Sequence, residues 1–434
     1  MIQTFRSAWK IEELRKKIIF TLFIILLYRL GNAVPVPFVD TENLKNFFDL
    51  QLQNTVLGLF NVMSGGAFSN ATIFALSIQP YINASIIMQL LGMAIPALER
   101  MQKEGGEEGR KKMASITRYA TVGLGLFQGF AYYLMLSRST GFTLLSETGV
   151  WQAIVIVLTF TAGSALIMWL GEQVTEFGIG NGISIILFAS IVSRFPESVI
   201  NMIRNVAQGT LAWWVLVLML VGSLAIVVLI VVVSNAERKI PVQYSKRVVG
   251  RKMYGGQSTH LPMKLSMSGV LPVIFAQSIV SLPATIAAFF PAPAEGTFWA
   301  GFLKAIGMDS MLYATLYLIL IIGFAFFYST VQFNPIEVAN NLRKNGGFIP
   351  GFRAGKPTSE FIQKVLNKIT FFGAVYLGII AVVPIIISIF SEMARNSGIA
   401  LGGTSVIIVV GVALETVKAL ESQMMMRHYK GFLE

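Results

Sequence analysis

Runs of about twenty residues with scarcely a charge recur along the chain, and they limit its fold more than any other feature. Such a run matches the helix length needed to cross about 30 Å of hydrocarbon. Lipid supplies no hydrogen bonds, so a spanning segment must satisfy its own backbone as a helix or close into a barrel. Barrel strands alternate polar and apolar residues with period two. These runs are continuous instead, so the chain reads as an all-α integral membrane protein with about ten transmembrane helices. The composition agrees: of 434 residues, 54% are hydrophobic and only 13% are charged, against about 25% charged in soluble domains.

Hydropathy places the spans at 18–34, 71–97, 115–137, 151–170, 183–203, 211–235, 268–290, 309–331, 369–391 and 400–419. Polar residues and glycines dilute the third and fifth most. The segment Phe5–Lys17 reads as an amphipathic helix at the membrane surface, with Phe5 and Trp9 one turn apart. Residues 18–34 do not read as a signal-peptide core, because the preceding charged stretch is long and Pro35 follows the only small-residue exit. Residues 57–70, rich in glycine, are too short to span. They read as a half-helix or re-entrant piece that only surrounding protein or water could tolerate.

Basic residues set the expected orientation. Of 34 Lys and Arg, 27 fall in the first 17 residues, the loops 98–118, 236–267 and 332–368, and the tail from Lys418. The positive-inside rule then places both termini in the cytoplasm, with an even number of spans. The loop 171–182 is the exception, cytoplasmic by alternation yet without Lys or Arg. Within 236–267, the pieces Ile240–Tyr244 and Val248–Tyr254 around Ser245-Lys246-Arg247 suggest a projecting hairpin. Residues Asn345–Pro357 read as a glycine- and proline-rich turn carrying cations. Basic loops of this kind suit anionic phospholipid, an acidic protein face or ribosomal RNA.

Much familiar chemistry is missing. There is no cysteine, and the two histidines are His260 and His428, which removes thiol chemistry and argues against a metal site. Gly355-Lys356 is no phosphate loop, since Pro350 stands where its first glycine belongs. No cofactor is expected, and the chain is not read as an enzyme. The span centres read as free of Asp, Glu, Lys and Arg, residues that ion-coupled transporters use as relays. A passive conduit driven by a partner fits best. The alternatives are a small-solute secondary transporter and a scaffold or insertase without a through-pore.

Several ordered segments resemble the SecY family, the central subunits of bacterial protein-conducting channels. They are Asn61–Ala67, Pro80–Leu91, Trp169–Gln173, Gly178–Ile185, Gln257–Pro262, Phe333–Pro335 and Gly402–Ser405. The resemblance implies two pseudo-symmetric, inverted five-helix halves, 18–204 and 205–420, around an hourglass pore, with residues 1–17 and 421–434 cytoplasmic. It implies a plug at 57–70, including Leu57, Phe60, Asn61, Met63, Ser64, Gly65 and Gly66. A pore ring would comprise Ile78, Ile82, Ile183, Leu187, Ile274 and Ile408, where soft aliphatic side chains mould around a passing chain.

A lateral gate would lie between spans two and three on one side and seven and eight on the other. Asn83, Gln128 and Gln277 would hydrogen-bond it shut. Docking contacts would be Arg238, Lys239, Lys246, Arg247, Arg251 and Arg353, for the motor ATPase SecA or a ribosome. Arginine's fork suits carboxylate and phosphate alike. Expected companions are the small subunits SecE and SecG. Signal sequences and unfolded secretory chains would be the cargo, and the bacterial inner membrane the location.

Overall fold

The computed structural model describes residues 2–52, 55–103, 105–138, 143–209, 212–244, 247–249, 252–254, 258–265, 269–287, 296–308, 310–390 and 399–430. It is a bundle of helices. Seven of those described are long and apolar enough to cross a membrane. They are α7 (Gly106–Arg138), α8 (Val150–Phe177), α9 (Gly182–Ala207), α10 (Trp213–Asn235), α13 (Met311–Gln332), α15 (Lys356–Phe390) and α16 (Ile399–Lys430).

The other three expected spans correspond to α2 (Glu12–Gly31), α5 (Gln79–Ala94) and α11 (Leu271–Ala287). With 16 and 17 residues, α5 and α11 reach about 25 Å at 1.5 Å per residue. Their length falls slightly short of a full hydrocarbon crossing. Side chains on the outer faces are apolar and exposed, most of all along α10, where Leu218, Val221 and Leu224 stand 62–64% accessible. That pattern belongs to a helix bathed in lipid.

Three boundaries depart from expectation. The second span does not begin at residue 71, because residues 71–78 run as irregular turns and the helix starts at Gln79. Pro80 suits that first turn, where its missing N–H costs nothing. Ala71 and Ser77 hold φ of +40° and +50°, values that break a helix for any residue with a Cβ. The amino-terminal helix α1 covers only Ile2–Lys10. Ile11 is extended, and Glu12–Lys17 form the first turns of α2 rather than a surface helix. Through Ala8, α1 packs with Leu14, Ile18 and Leu420, and Thr4 Oγ1 donates to Glu421 Oε1 at 3.2 Å.

The expected hairpin also has a different register. Strand β1 (Glu237–Tyr244) pairs antiparallel with β4 (Ser258–Lys264), not with residues 248–254. Those residues make their own small hairpin, β2 (Arg247–Val249) with β3 (Lys252–Tyr254).

Strand β5 (Gly347–Phe348) from the other long loop joins the opposite edge of β1. The two loops thus fold as one knob. Its core is Ile240, Val242, Met263, Ile349, Ile362, Leu366 and Ile369, so the extended foot of α15 is part of it. Ile362 is fully buried there. Ile362→Ala should cost about 2–5 kcal/mol and speed proteolysis within both loops together. Cleavage of only one loop would contradict the shared core.

Candidate functional site

The region 55–70 sits inside the bundle. Thr55 caps a short helix, α4 (Val56–Met63), its hydroxyl accepting from the Leu57 N–H at 3.2 Å. The helix stops because Gly65 and Gly66 adopt φ of +68° and +89°, left-handed values natural only to glycine. At Gly65 the backbone also lies so close to α9 that a Cβ would meet the Ser190 carbonyl and Ser193 Oγ at 3.0 Å.

Beyond Met63 no helix satisfies the backbone, so turns, the extended residues Val34 and Val36, and side chains share that work. Ser64 Oγ accepts from the Phe68 N–H at 3.1 Å, and Asn61 Oδ1 accepts from the Ser69 N–H at 3.0 Å. The Ser64 carbonyl accepts from Tyr28 Oη at 3.2 Å and from Asn32 Nδ2 at 3.3 Å. Tyr28 Oη lies 2.7 Å from Ser190 Oγ, and Tyr132 Oη donates to the Phe68 carbonyl at 2.6 Å. Three helices, α2, α7 and α9, therefore hold one irregular strand of chain. Leu57, Asn61, Met63, Ser64 and Gly66 are buried, and Phe60 and Gly65 half-buried.

The helix α4 touches α9, α11 and α16. Around it, Ile78, Ile82, Leu187, Ile274 and Ile408 are buried in one apolar cluster with Leu59 and Met63, and Ile183 packs against that cluster. Leu59 and Met63 face Ile274, Gln277 and Ile408 across a void of about 10 Å³, room for roughly one water. Apolar side chains make most of that lining, joined by Gln277, Thr404 and Ser405.

The two groups of helices meet along α9 and α16 on one side and along α5 and α11 on the other. Of the three expected gate residues, only Gln277 makes a described side-chain bond, Nε2 donating to Tyr313 Oη at 2.8 Å. That bond ties α11 to its own neighbour α13 and does not cross the seam. Asn83 and Gln128 are half-buried, with no hydrogen bond to a described residue. The bond that crosses is Tyr328 Oη to Gln89 Oε1 at 2.6 Å, from α13 to α5. Gln89 Nε2 in turn donates to Ser85 Oγ at 3.2 Å.

The family model for SecY matches residues 72–417. Relatives described as protein translocase subunit SecY share 44% identity in Streptomyces scabiei, with both chains wholly covered. In Thermotoga maritima the identity is 41%, covering all of this chain and 98% of the relative.

The chain belongs to the SecY family.

The fold agrees at lower identity. A solved structure described as a protein conducting channel has a TM-score of 0.66 at 17% identity, covering 95% of this chain and 93% of that one. One described by the plug domain of the SecY protein scores 0.67, covering 95% and 92% at 17% identity. Canine Sec61 in a ribosome–channel complex scores 0.61 at 16% identity, covering 95% and 93%. The small-solute transporter reading finds no support in any of these matches.

One premise behind setting that reading aside also needs correcting. Arg194 falls near the middle of the fifth span as drawn from hydropathy, and the span centres are not all uncharged. It is half-buried on α9, with its Nε beside Gly66. From Phe195 to Ser198 the helix is exposed around Pro196, so the apolar run ends earlier than a hydropathy window suggests.

On the SecY-family knob, Arg238, Lys239 and Arg353 are exposed. Lys239 Nζ lies 3.3 Å from Glu237 Oε1, a solvent-screened pair. Arg353 lies on the turn between β5 and α15, where its carbonyl accepts from Thr358 Oγ1 at 2.7 Å. The stacked rings of Phe352 and Phe361, 4.2 Å apart, brace that turn. Arg247 lies on β2. Lys246 and Arg251 lie outside the described residues.

Sequence reasoning missed Tyr28, Tyr132, Ser190, Gln89 and Tyr328. Each is a polar side chain within an apolar run, a signal that marks a buried hydrogen bond without naming its partner. Tyr28→Phe removes a donor to the Ser64 carbonyl and should cost about 1 kcal/mol. Hydrogen exchange of residues 61–70 should then accelerate several-fold, with the rest of the bundle unchanged. An unaltered exchange pattern would mean Tyr28 does not hold the segment.

Proposed function

We propose that this chain is the central subunit of a protein-conducting channel, passing unfolded secretory polypeptides across the membrane and releasing apolar segments sideways into lipid. The observation that carries this reading is the seat of α4 and its following turns. A short half-helix and its following turns fill the space between helices of both groups, amid aliphatic side chains that could re-pack around another chain. The residues 57–70 serve as the plug, and Ile78, Ile82, Ile183, Leu187, Ile274 and Ile408 as the pore ring. An aliphatic ring excludes water and ions yet accepts many polypeptide sequences.

The two pseudo-symmetric halves meet around this point, completing ten spans, with both termini in the cytoplasm of a bacterial inner membrane. The chain supplies a path and no catalysis, so the work comes from a partner. SecA or a translating ribosome docks on the knob through Arg238, Lys239, Lys246, Arg247, Arg251 and Arg353, and SecE and SecG flank the bundle. Anionic phospholipid complements the basic face.

The lateral gate runs along the α5–α11 seam, with Gln89–Tyr328 as its polar fastener and Asn83, Gln128 and Gln277 as its further polar residues. Interhelical bonds of this sort are worth about 0.6–2 kcal/mol in membranes, small enough for an apolar signal sequence to displace. Tyr328→Phe should let precursors with weakened signal sequences be exported several-fold better, measured by protease protection in vesicles. Unchanged discrimination would remove Tyr328 from the gate.

The direct test places a photo-crosslinking residue at Ile82, with a control at Leu218 on the lipid-facing side of α10. A precursor stalled part-way across should label position 82 and not 218. Equal labelling, or none at either, would overturn the channel reading. Separately, Arg353→Glu should impair SecA-driven export while the complex assembles normally. Undiminished export would remove this turn from the docking surface.

A further inference from the structure

Between α11 and α13 lies a short helix, α12 (Phe298–Ala305), that buries none of its residues. It begins cleanly, with Thr297 Oγ1 accepting from the Ala300 N–H at 3.4 Å. It leans on the protein through Ala300 and Leu303, which are half-buried. Its opposite face presents three aromatic rings in mutual contact. Phe298 is 82% exposed, Trp299 64% and Phe302 38%. Centroids lie 6.3 Å apart for Phe298–Trp299, 5.8 Å for Trp299–Phe302 and 6.4 Å for Phe298–Phe302.

This is a helix whose small face meets protein and whose large apolar face stands largely exposed among the described residues. Water is a poor environment for it: burying one such ring removes 150 Å² or more of surface. The neighbouring helices say what covers it. Close to their α12-facing ends, α11 exposes Leu282 and Ile286, and α13 exposes Met311 and Leu312, each 41–55% accessible. These belong to the faces that the bundle turns to lipid, so the aromatic face continues a lipid-facing surface. Tryptophan and its aromatic companions favour the headgroup boundary, where an indole can be half apolar and half wet. The single charge on α12, Lys304, is exposed in its last turn, suited to headgroup phosphate.

We infer that α12 is an interfacial anchor, its Phe298–Trp299–Phe302 face seated at the headgroup–acyl boundary of a phospholipid bilayer. Just after it, Ile306 and Met308 are buried in the protein. The anchor is therefore tied to the bundle as well as to lipid. It connects the bilayer surface to the ends of α11 and α13. The inference requires only that the bundle spans a membrane, so it stands or falls separately from the channel reading.

The chain has no cysteine, so single-cysteine labelling carries no background. Nitroxides attached at Phe298→Cys, Phe302→Cys and Lys304→Cys would be compared with Thr148→Cys, on an exposed loop, in phospholipid vesicles. Collision rates with oxygen, which concentrates in lipid, and with a water-soluble nickel chelate report depth. Positions 298 and 302 should show an oxygen-to-nickel ratio several-fold above those at 304 and 148. Ratios matching Thr148 at all positions would place the helix in water and overturn the inference. Low collision rates with both reagents at 298 and 302 would overturn it too, since another protein would then cover the face. The two aromatic positions check each other against local misfolding of either variant.

Discussion

From Ser64 to Ile78 the chain runs without a regular helix through the interior of a bundle built for lipid. Every backbone N–H and C=O there must find a partner inside the protein, because the surrounding hydrocarbon offers none. Tyr28 and Asn32 meet the Ser64 carbonyl, Tyr132 meets that of Phe68, and Asn61 and Ser64 close the turns between them. Turns within the segment, with the Ile73 N–H donating to the Val34 carbonyl and the Val36 N–H to the Ala71 carbonyl, satisfy much of the rest. Neutral hydrogen bonds contribute only about 1 kcal/mol each, so release of this segment as a plug, as proposed, requires several such bonds to be exchanged together.

The remaining contacts around that seat are mostly apolar, with Gln277, Thr404 and Ser405 also lining the void. Leu59 and Met63 fill the space before Ile274 and Ile408, leaving a void of about 10 Å³. Dispersion contacts are non-directional, so the same side chains can close on α4 or on an arriving polypeptide. A polar lining would favour particular residues in transit. The seam bond between Gln89 and Tyr328 works at the opposite extreme, one directional contact of 2.6 Å between surfaces that otherwise rely on packing. In the proposed gate, an apolar segment would compete with that one bond.

The spans and the half-helix at 57–70 were legible in the sequence because lipid imposes a length and a hydrophobicity on anything that crosses it. The start of α5 was not: residues 71–78 are apolar enough to extend the hydropathy window, yet the backbone at Ala71 and Ser77 is not helical. Arg194 was overlooked for the complementary reason, since window averages hide one cation among isoleucines. The knob was half legible. Alternation and turn residues announced strands, but the pairing of β1 with β5 joins segments about a hundred residues apart, which local pattern cannot specify. The ring residues came from resemblance to a family, and only three-dimensional packing puts Ile78, Leu187, Ile274 and Ile408 into one cluster with Met63. Gln89 and Tyr328 are unremarkable in sequence, and their partnership exists only across the seam.

The claim that the seated segment must leave for a polypeptide to pass is tested most directly by tethering it. Met63→Cys with Ile408→Cys would be the only thiols in the chain, placed on residues that line the same small void. With a short reducible thiol crosslinker, the tethered protein in its complete complex should no longer carry a precursor across vesicles, and reduction should restore passage. Full transport through a protein shown to be crosslinked would contradict the account, because the polypeptide would then be travelling by another route.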